Sequence, residues 1–281
     1  MMAQIVMNVI MGSVILLMLG AGLNIELRQV IDIAKRFRLV LLGVLANFLA
    51  VPLLIVLCLM LVPLSPDIKI GIMLMAAAPI APMAPAPFVE KAKGDVVYSV
   101  GLMTIVASLS IVLTPLILSL SIPESVGGVT LNPIHIVKTL LMVQLIPISV
   151  GIAIRQASRK WADRLVKIVP RIGQIGLLIG VGLLLAKQAS QIISIGLLGY
   201  LIMVLLTVVS LFVGDLMLIG ESAEKRRALA VSTAIRNVPL AFLIATENFP
   251  DTVVAPVVLV FSVLTMVLSV VYGKLKVRPE S

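Results

Sequence analysis

The chain contains an interrupted apolar stretch, R-A-L-A-V-S-T-A-I-R-N-V-P-L-A-F at Arg227–Phe242. It begins like a membrane helix, but Arg236, Asn237 and Pro239 fall where the middle of the bilayer should be. A charged side chain at that depth costs about 2.5–3.5 kcal/mol on insertion scales, so it normally faces a protein cavity or a partner. Pro239 has no backbone N–H and disrupts helical pairing. Because broken backbone at membrane depth must be satisfied by protein or by a water-filled cavity, the stretch predicts a functional break.

The composition indicates an all-α polytopic membrane protein. The 281 residues are 60% hydrophobic and 12% charged, whereas soluble domains are nearer 45–50% apolar and about 25% charged. The net charge of +9 lies mostly in short loops, and aromatic residues are only 4%, so nucleic acid is not an expected partner. The expected partners are the lipid bilayer and a small molecule. The chain, residues 1–281, is predicted to be a single integral membrane domain.

The apolar runs predict nine transmembrane helices. Each has about 20 mostly apolar residues, the length that crosses a hydrocarbon core of about 30 Å. The predicted spans are Ile5–Leu23, Leu39–Leu61, Ile70–Val89, Val96–Leu120, Ile134–Ile154, Ile168–Leu185, Ile192–Leu211, Ala228–Thr246 and Val253–Tyr272.

Loops rich in lysine and arginine alternate with loops that have few basic residues. The loops after spans one, three, five and seven and the tail are basic, while Lys69 and Lys187 are the basic residues assigned to the intervening loops. Basic loops remain in the cytoplasm. We therefore expect the protein in the plasma membrane (the bacterial inner membrane), with the N-terminus outside and the C-terminus in the cytoplasm. The segment Arg155–Lys167 is expected to be a connector or a surface helix.

Spans three and eight are the two helices most clearly interrupted by proline. Span three reads A-P-I-A-P-M-A-P-A-P-F at Ala78–Phe88, and the loop charges place it in the opposite orientation to span eight. Such a pair is typical of the inverted repeats of transporters, whose central site lies at the broken helices. We predict a first, N-terminally shortened repeat at 5–120 and a second, inverted repeat at 134–272. Pro85 and Pro87 are candidate substrate-binding residues.

Arg236 is the leading candidate for binding chemistry. Its planar guanidinium can bind two oxygens of a carboxylate, sulfonate or phosphate, or can substitute for a bound cation. The alternative is a structural ion pair with a carboxylate such as Glu90 or Asp95. The neighbouring candidates for the same cavity are Asn237, Ser232 and Thr233, although a helical Ser or Thr can instead bond to its own backbone.

Three further polar residues lie inside predicted spans. Asn47 in span two must find a partner, which is either another helix or a ligand. Ser99 and Thr104 in span four are candidate substrate-binding residues, with helix packing as the alternative. We find no metalloprotease, hydrolase or nucleotide-binding motif, and we therefore predict that the chain is not an enzyme and has no metal site.

Several stretches resemble the bile acid:sodium symporter family. These stretches are L-G-A-G-L-N-I at Leu19–Ile25, the segment Leu41–Leu53, K-A-K-G-D-V-V-Y-S-V-G-L at Lys91–Leu102, and Ser232–Ala241, which is similar to that family's E-x-G-x-Q-N-S-G-L-A helix. The resemblance implies a core domain with two crossed, broken helices and a panel domain that moves against it.

This chain departs from the family at the residues that the resemblance assigns to sodium. Ser232 replaces the acidic ligand and Arg236 replaces a glutamine, while the Ser-Asn pair of the other broken helix is replaced around Ala84–Ala86. Ser99 matches a ligand serine, but Met103 replaces its partner threonine. Asn47 matches a family glutamine.

The departures predict a sodium-independent transporter of a small organic anion. Arg236 would supply permanently the positive charge that sodium supplies in relatives, so no cofactor is expected and sodium, although possible, is disfavoured. Two alternatives stay open, a sodium-coupled symporter of the same family and a membrane protein that senses a ligand without transporting it. The sequence names neither the substrate nor the oligomeric state.

Overall fold

The computed structural model describes residues 2–81, 86–121 and 133–276, without the side chains of residues 2–4, 133, 184–185 and 187–189. The described chain is helical, and its one β-type pairing is an isolated bridge. The helices are α1 (Met2–Asn24), α2 (Leu27–Ala34), α3 (Phe37–Leu45), α4 (Val51–Leu61), α5 (Pro66–Ala77), α6 (Ala86–Lys91), α7 (Val96–Ser121), α8 (Pro133–Leu140), α9 (Ile146–Ala157), α10 (Arg159–Ser194), α11 (Gly196–Met217), α12 (Ala223–Ala234), α13 (Val238–Asn248) and α14 (Val254–Lys276). Two π-helical segments join neighbouring helices, π1 (Ala46–Ala50) between α3 and α4 and π2 (Leu141–Leu145) between α8 and α9.

Seven helical segments are long and apolar enough to cross a membrane. They are Ile5–Asn24, Phe37–Leu61, Val96–Ser121, Ile134–Ala157, Arg159–Leu183, Gly196–Met217 and Val254–Lys276. The expectation of an all-α membrane protein is therefore confirmed. The two proline-interrupted stretches each form a pair of short helices, α5 with α6 and α12 with α13.

The sixth predicted span, Ile168–Leu185, is longer at both ends in the structure. Residues 159–167, expected in a connector or surface helix, belong to the same helix as the apolar run that follows them, and α10 continues to Ser194. The helix begins where the Ser158 hydroxyl accepts a hydrogen bond from the Trp161 N–H, at 3.4 Å. It ends at Ser194, two residues before Gly196, whose φ of +70° favours glycine. The capping serine and the glycine turn, and not the limits of the apolar runs, set these bounds.

Helices α1, α9 and α10 form one packed group, which we call the panel group. Glycines allow the close approach of its backbones. A Cβ atom on Gly22 would overlap the Ile148 carbonyl oxygen, and one on Gly151 would lie 2.6 Å from the Leu23 nitrogen. Small residues at such contacts let membrane helices pack by dispersion, since lipid tails provide no hydrophobic drive.

Helices α11, α12 and α14 are joined at one end by a buried carboxylate. Asp215, only 5% exposed, accepts hydrogen bonds from Arg226 at 2.9 Å, Tyr272 at 3.2 Å and Lys276 at 3.2 Å. Because charge-assisted bonds are stronger than neutral ones, this network holds the three helices together. We call the helices packed around the two breaks, α3–α5, α7 and α11–α14, the core group.

We expect Gly22→Ala to destabilise the protein, because the new methyl group must displace the backbone of α9. Overpacking of this kind costs about 1–3 kcal/mol. The measurement is thermal unfolding of the purified variant in detergent. Gly12→Ala is the matched control, since a Cβ at Gly12 meets nothing within 4 Å and alanine favours a helix. Equal stability of the two variants would contradict this packing.

Candidate functional site

The two helix breaks meet and pair with each other. Ile80 and Arg236 form an antiparallel bridge in which the Asn237 N–H donates to the Pro79 carbonyl at 2.8 Å. The Ala81 N–H donates to the Ile235 carbonyl at 3.3 Å. Each interrupted segment thus satisfies backbone groups of the other. This pairing removes the penalty for leaving unpaired backbone in a membrane interior.

Arg236 is buried at this crossing, with 4% of its surface exposed. Its Nη1 donates to three oxygens at 3.2 Å, namely the Asn47 carbonyl, the Asn47 side-chain Oδ1 and the Ala78 carbonyl. Its Nη2 has no hydrogen-bond partner among the described residues. The sequence therefore predicted correctly that Arg236 is buried. In the structure its acceptors are neutral oxygens.

The ion pair considered for Arg236 is not formed within the described parts of the chain. The Asp95 carboxylate instead accepts from the Tyr98 N–H at 2.9 Å, and Glu90 is exposed. Helix ends provide the compensating negative potential. Ala78 is the C-cap of α5 and Ile235 the C-cap of α12, and a helix C-terminus carries roughly half a negative charge.

A small cavity of about 10 Å³ adjoins Arg236 on the side of the core group. Its lining comprises Ile55, Met75, Ala76, Ser210, Ala234, Phe261 and Thr265 together with Arg236 itself. This volume accommodates about one water molecule. An organic anion does not fit there without movement of the surrounding helices. Because the lining residues all belong to the core group, the guanidinium faces the interior of that group.

Asn237 forms a hydrogen bond to π2, whereas Arg236 bonds to π1. Its Nδ2 donates to the Gln144 Oε1 at 3.2 Å, and its Oδ1 caps α13 by accepting from the Leu240 N–H at 3.2 Å. Gln144 in turn donates to the Ala107 carbonyl and the Ser110 hydroxyl of α7, both at 2.8 Å. The sequence reasoning missed Gln144. The available signal was a lone amide in an apolar span, the same signal that identified Asn47.

Ser99 and Ser232 are brought together by the fold. Their hydroxyl oxygens form a buried hydrogen bond of 2.7 Å between α7 and α12. Thr233 and Thr104 instead bond to carbonyls of their own helices, those of Leu229 and Val100. This bond joins Ser99, which matches a ligand serine of the resembled family, to Ser232, which replaces the acidic ligand of that pattern.

Thr104 lines a second cavity, which we call the cleft. The cleft has a volume of about 20 Å³ and lies between α1, α7 and the π2–α9 segment. Its lining is mostly apolar and consists of Ala21, Ile25, Met103, Thr104, Ala107, Ser108, Gln144, Leu145 and Ile148. It separates the panel group from α7 of the core group.

The prolines proposed for the site are less informative. Pro85 lies outside the described residues, and so do the three residues before it, 82–84. Pro87 is exposed in the first turn of α6. Proline is compatible with a first helical turn because the N–H groups there have no intrahelical partner.

Comparison with known proteins shows the family. The profile described as "Sodium Bile acid symporter family" matches residues 11–195, more than half of the chain. The chain belongs to this family. One similar protein is the "Uncharacterized sodium-dependent transporter YocS" of Bacillus subtilis (strain 168), which is 24% identical over 243 residues, or 86% of this chain and 74% of that protein. The family membership makes the chain a membrane transporter, while the profile match ends before α12 and therefore before Arg236.

We expect Arg236→Met to lower the free energy of unfolding by about 1.5–3 kcal/mol, because it removes the charged donor from carbonyls that stay buried. Arg236→Lys should recover part of that loss, since an ammonium keeps the charge without the planar fork. Thermal unfolding in detergent measures both effects, with the exposed Arg28→Gln as the control. A stable Arg236→Met variant would show that the crossing does not need a cation.

Proposed function

We propose that this protein is a secondary-active transporter of a small organic anion that works by alternating access without sodium. The panel group would move against the core group, and the substrate would bind between them once this movement widens the cleft beyond its volume of about 20 Å³. The observation that carries the proposal is the position of Arg236, whose guanidinium donates to three oxygens at the crossing of the two broken helices. Half-helix ends and unwound carbonyls are the groups with which transporters bind coupling cations.

Arg236 acts in this proposal as a fixed replacement for a bound cation. Two helix C-termini and the Asn47 oxygens would stabilise its charge, as they would stabilise a cation that binds and leaves. The charge is permanent because guanidinium keeps its proton in proteins. The hydrogen-bonded pair Ser99–Ser232 supports the same conclusion, because neither hydroxyl offers the negative charge that would offset sodium desolvation.

A sodium-coupled symporter is the second candidate, and one observation favours it. The relative from Bacillus subtilis is named a sodium-dependent transporter. In that case oxygen atoms other than the family's ligands would bind sodium in this chain. A protein that senses a ligand without transporting it would bind the same anions but would produce no flux across a liposome membrane.

The proposal includes the topology. The seven long helices and the two broken pairs would together make nine crossings, with the repeats 5–120 and 134–272 inverted relative to each other. The breaks of α5–α6 and α12–α13 cross antiparallel, as an inverted repeat requires. The basic residues of alternate loops support an external N-terminus and a cytoplasmic C-terminus.

The coupling is tested by uptake of labelled organic anions, including cholate and benzoate, into proteoliposomes. We expect saturable uptake at the same rate with inward gradients of sodium or potassium at equal ionic strength. Arg236→Gln should reduce uptake at least tenfold, because the crossing loses its charge. A steep rise of uptake with the sodium gradient would contradict the fixed-cation mechanism. Binding without saturable flux would indicate a sensor.

The topology is tested with reporters fused to either end of the full-length chain. A fluorescent protein that matures only in the cytoplasm should be bright at the C-terminus and dark at the N-terminus in bacterial cells. A periplasmic phosphatase at the same positions should give the opposite pattern. Equal brightness of the fluorescent protein at both ends would mean an even number of crossings and would contradict nine.

A further inference from the structure

Helix α10 exposes far more of its surface than the other long helices do. In the apolar part of its span, Arg159–Leu183, only 11% of the residues are buried inside the protein, compared with 39–50% in the other six spans. The whole helix has 36 residues and is therefore about 54 Å long, whereas a hydrocarbon core is about 30 Å thick. The outward face of α10 thus runs through both the lipid core and the headgroup layer.

A stripe of polar side chains follows this outward face. Its members are spaced alternately four and three residues apart, which places them on one side of a helix. They are Lys160, Arg164, Lys167, Arg171 and Gln174. All five are exposed, and the next position of the stripe is the exposed, apolar Leu178. We call these five residues the cationic stripe. The opposite side of α10 packs on α1, where Gly173 contacts Ser13 and Gly180 contacts Ile10.

The packing of α10 on α1 shows how deep the cationic stripe extends. Pro170 lies against Gly20, and Gly180 lies against Ile10, so the two helices run antiparallel. Helix α1 ends only four residues after Gly20. Arg171 is therefore about one helical turn, or roughly 6 Å, inside the end of this apolar span. At that depth its surroundings are lipid, so a solvated surface charge does not account for it.

The deeper cations of the stripe have no carboxylate partner. Lys167 and Arg171 form no ion pair in the parts of the chain that the structure describes, and the one carboxylate of α10, Asp163, pairs with Arg155 at 2.8 Å. Side chains on a helix lean toward its N-terminus, so Lys167 and Arg171 extend toward the level of Trp161. Tryptophan prefers the headgroup layer. The unpaired charges therefore converge where lipid phosphates lie.

We propose that the cationic stripe of α10 binds the phosphate of an anionic phospholipid between Arg164, Lys167 and Arg171. One acyl chain would lie along the exposed apolar residues that follow, Ile175 and Leu178. Anionic headgroups attract lysine and arginine close to the membrane surface. In the proposed topology this lipid belongs to the cytoplasmic leaflet. The site lies on the outer face of the panel group, so it stands or fails independently of the proposed transport.

Two other occupants fit this face less well. A second copy of the chain that packed α10 against α10 would bring like charges together, because the carboxylate of Asp163 is already paired with Arg155. An acidic soluble protein would reach Lys160 but not Arg171, which lies inside the apolar span. A phospholipid accounts for both the sign of the charge and its depth.

Trp161 provides a reporter for lipid at this site. It is the only tryptophan of the chain, is 59% exposed, and has the Arg164 guanidinium 5.7 Å from its ring centroid. The full-length protein is reconstituted into phosphatidylcholine vesicles that contain rising fractions of brominated phosphatidylglycerol or brominated phosphatidylcholine, since bromine quenches tryptophan fluorescence. We expect brominated phosphatidylglycerol to quench Trp161 at a roughly fivefold lower fraction than brominated phosphatidylcholine.

The double variant Lys167→Gln/Arg171→Gln should make the two brominated lipids quench equally, while it keeps Arg164 beside Trp161. The matched control is Arg28→Gln/Lys274→Gln, which removes two exposed cations from other segments and should keep the preference. Arg171→Lys should also keep it, because the charge remains at the same depth. An equal loss of preference in the two double variants would overturn the proposal, because the net charge of the protein would then explain the binding.

Two further outcomes identify the wrong occupant. Absence of quenching by either lipid in the parent would show that protein, such as a second copy of the chain, covers this face, and would overturn the proposal. Glycerol phosphate in solution has the headgroup chemistry without acyl chains and should leave the quenching by brominated phosphatidylglycerol unchanged. Displacement of the lipid by glycerol phosphate would assign the stripe to a soluble phosphate ester instead.

Discussion

A helix break in a membrane has no water to satisfy its backbone, and this chain meets that constraint by pairing two breaks with each other. The antiparallel bridge between Ile80 and Arg236 supplies each break with hydrogen bonds from the other. Residues on it are held by backbone and not by loops, which places the side chains of Arg236 and Asn237 at defined positions in the bundle centre.

Arg236 and Asn237 are neighbours in the chain but bond in opposite directions. Arg236 points into the core group toward π1, and Asn237 points toward π2 in the segment that carries the panel helix α9. Each π segment presents one amide, Asn47 or Gln144, to the crossing. The π geometry recurs at functional sites because it changes the direction of a side chain within a helix.

The two groups of helices are held together internally by different forces. Glycine contacts such as Gly22 with α9 bring the panel backbones together, whereas Asp215 and its cationic partners hold α11, α12 and α14. Gln144 bridges from π2 to α7 and α13 with hydrogen bonds between neutral groups. Neutral bonds are easier to exchange than charge-assisted ones. The structure therefore concentrates exchangeable contacts at the cleft, where the proposed mechanism requires movement.

The sequence by itself determined the helical membrane class, the two proline-interrupted segments and the presence of Arg236 at membrane depth, because hydropathy, proline and buried charge act locally along the chain. It also indicated the family. It did not show that α10 continues from Arg159 to Ser194, since a capping serine and a glycine turn set those ends. The partners of Arg236, the pairing of Ser99 with Ser232 and the hydrogen bonds of Gln144 were decided by the tertiary structure alone. These contacts join residues far apart in the chain, and only the packing of the helices brings them within hydrogen-bond distance.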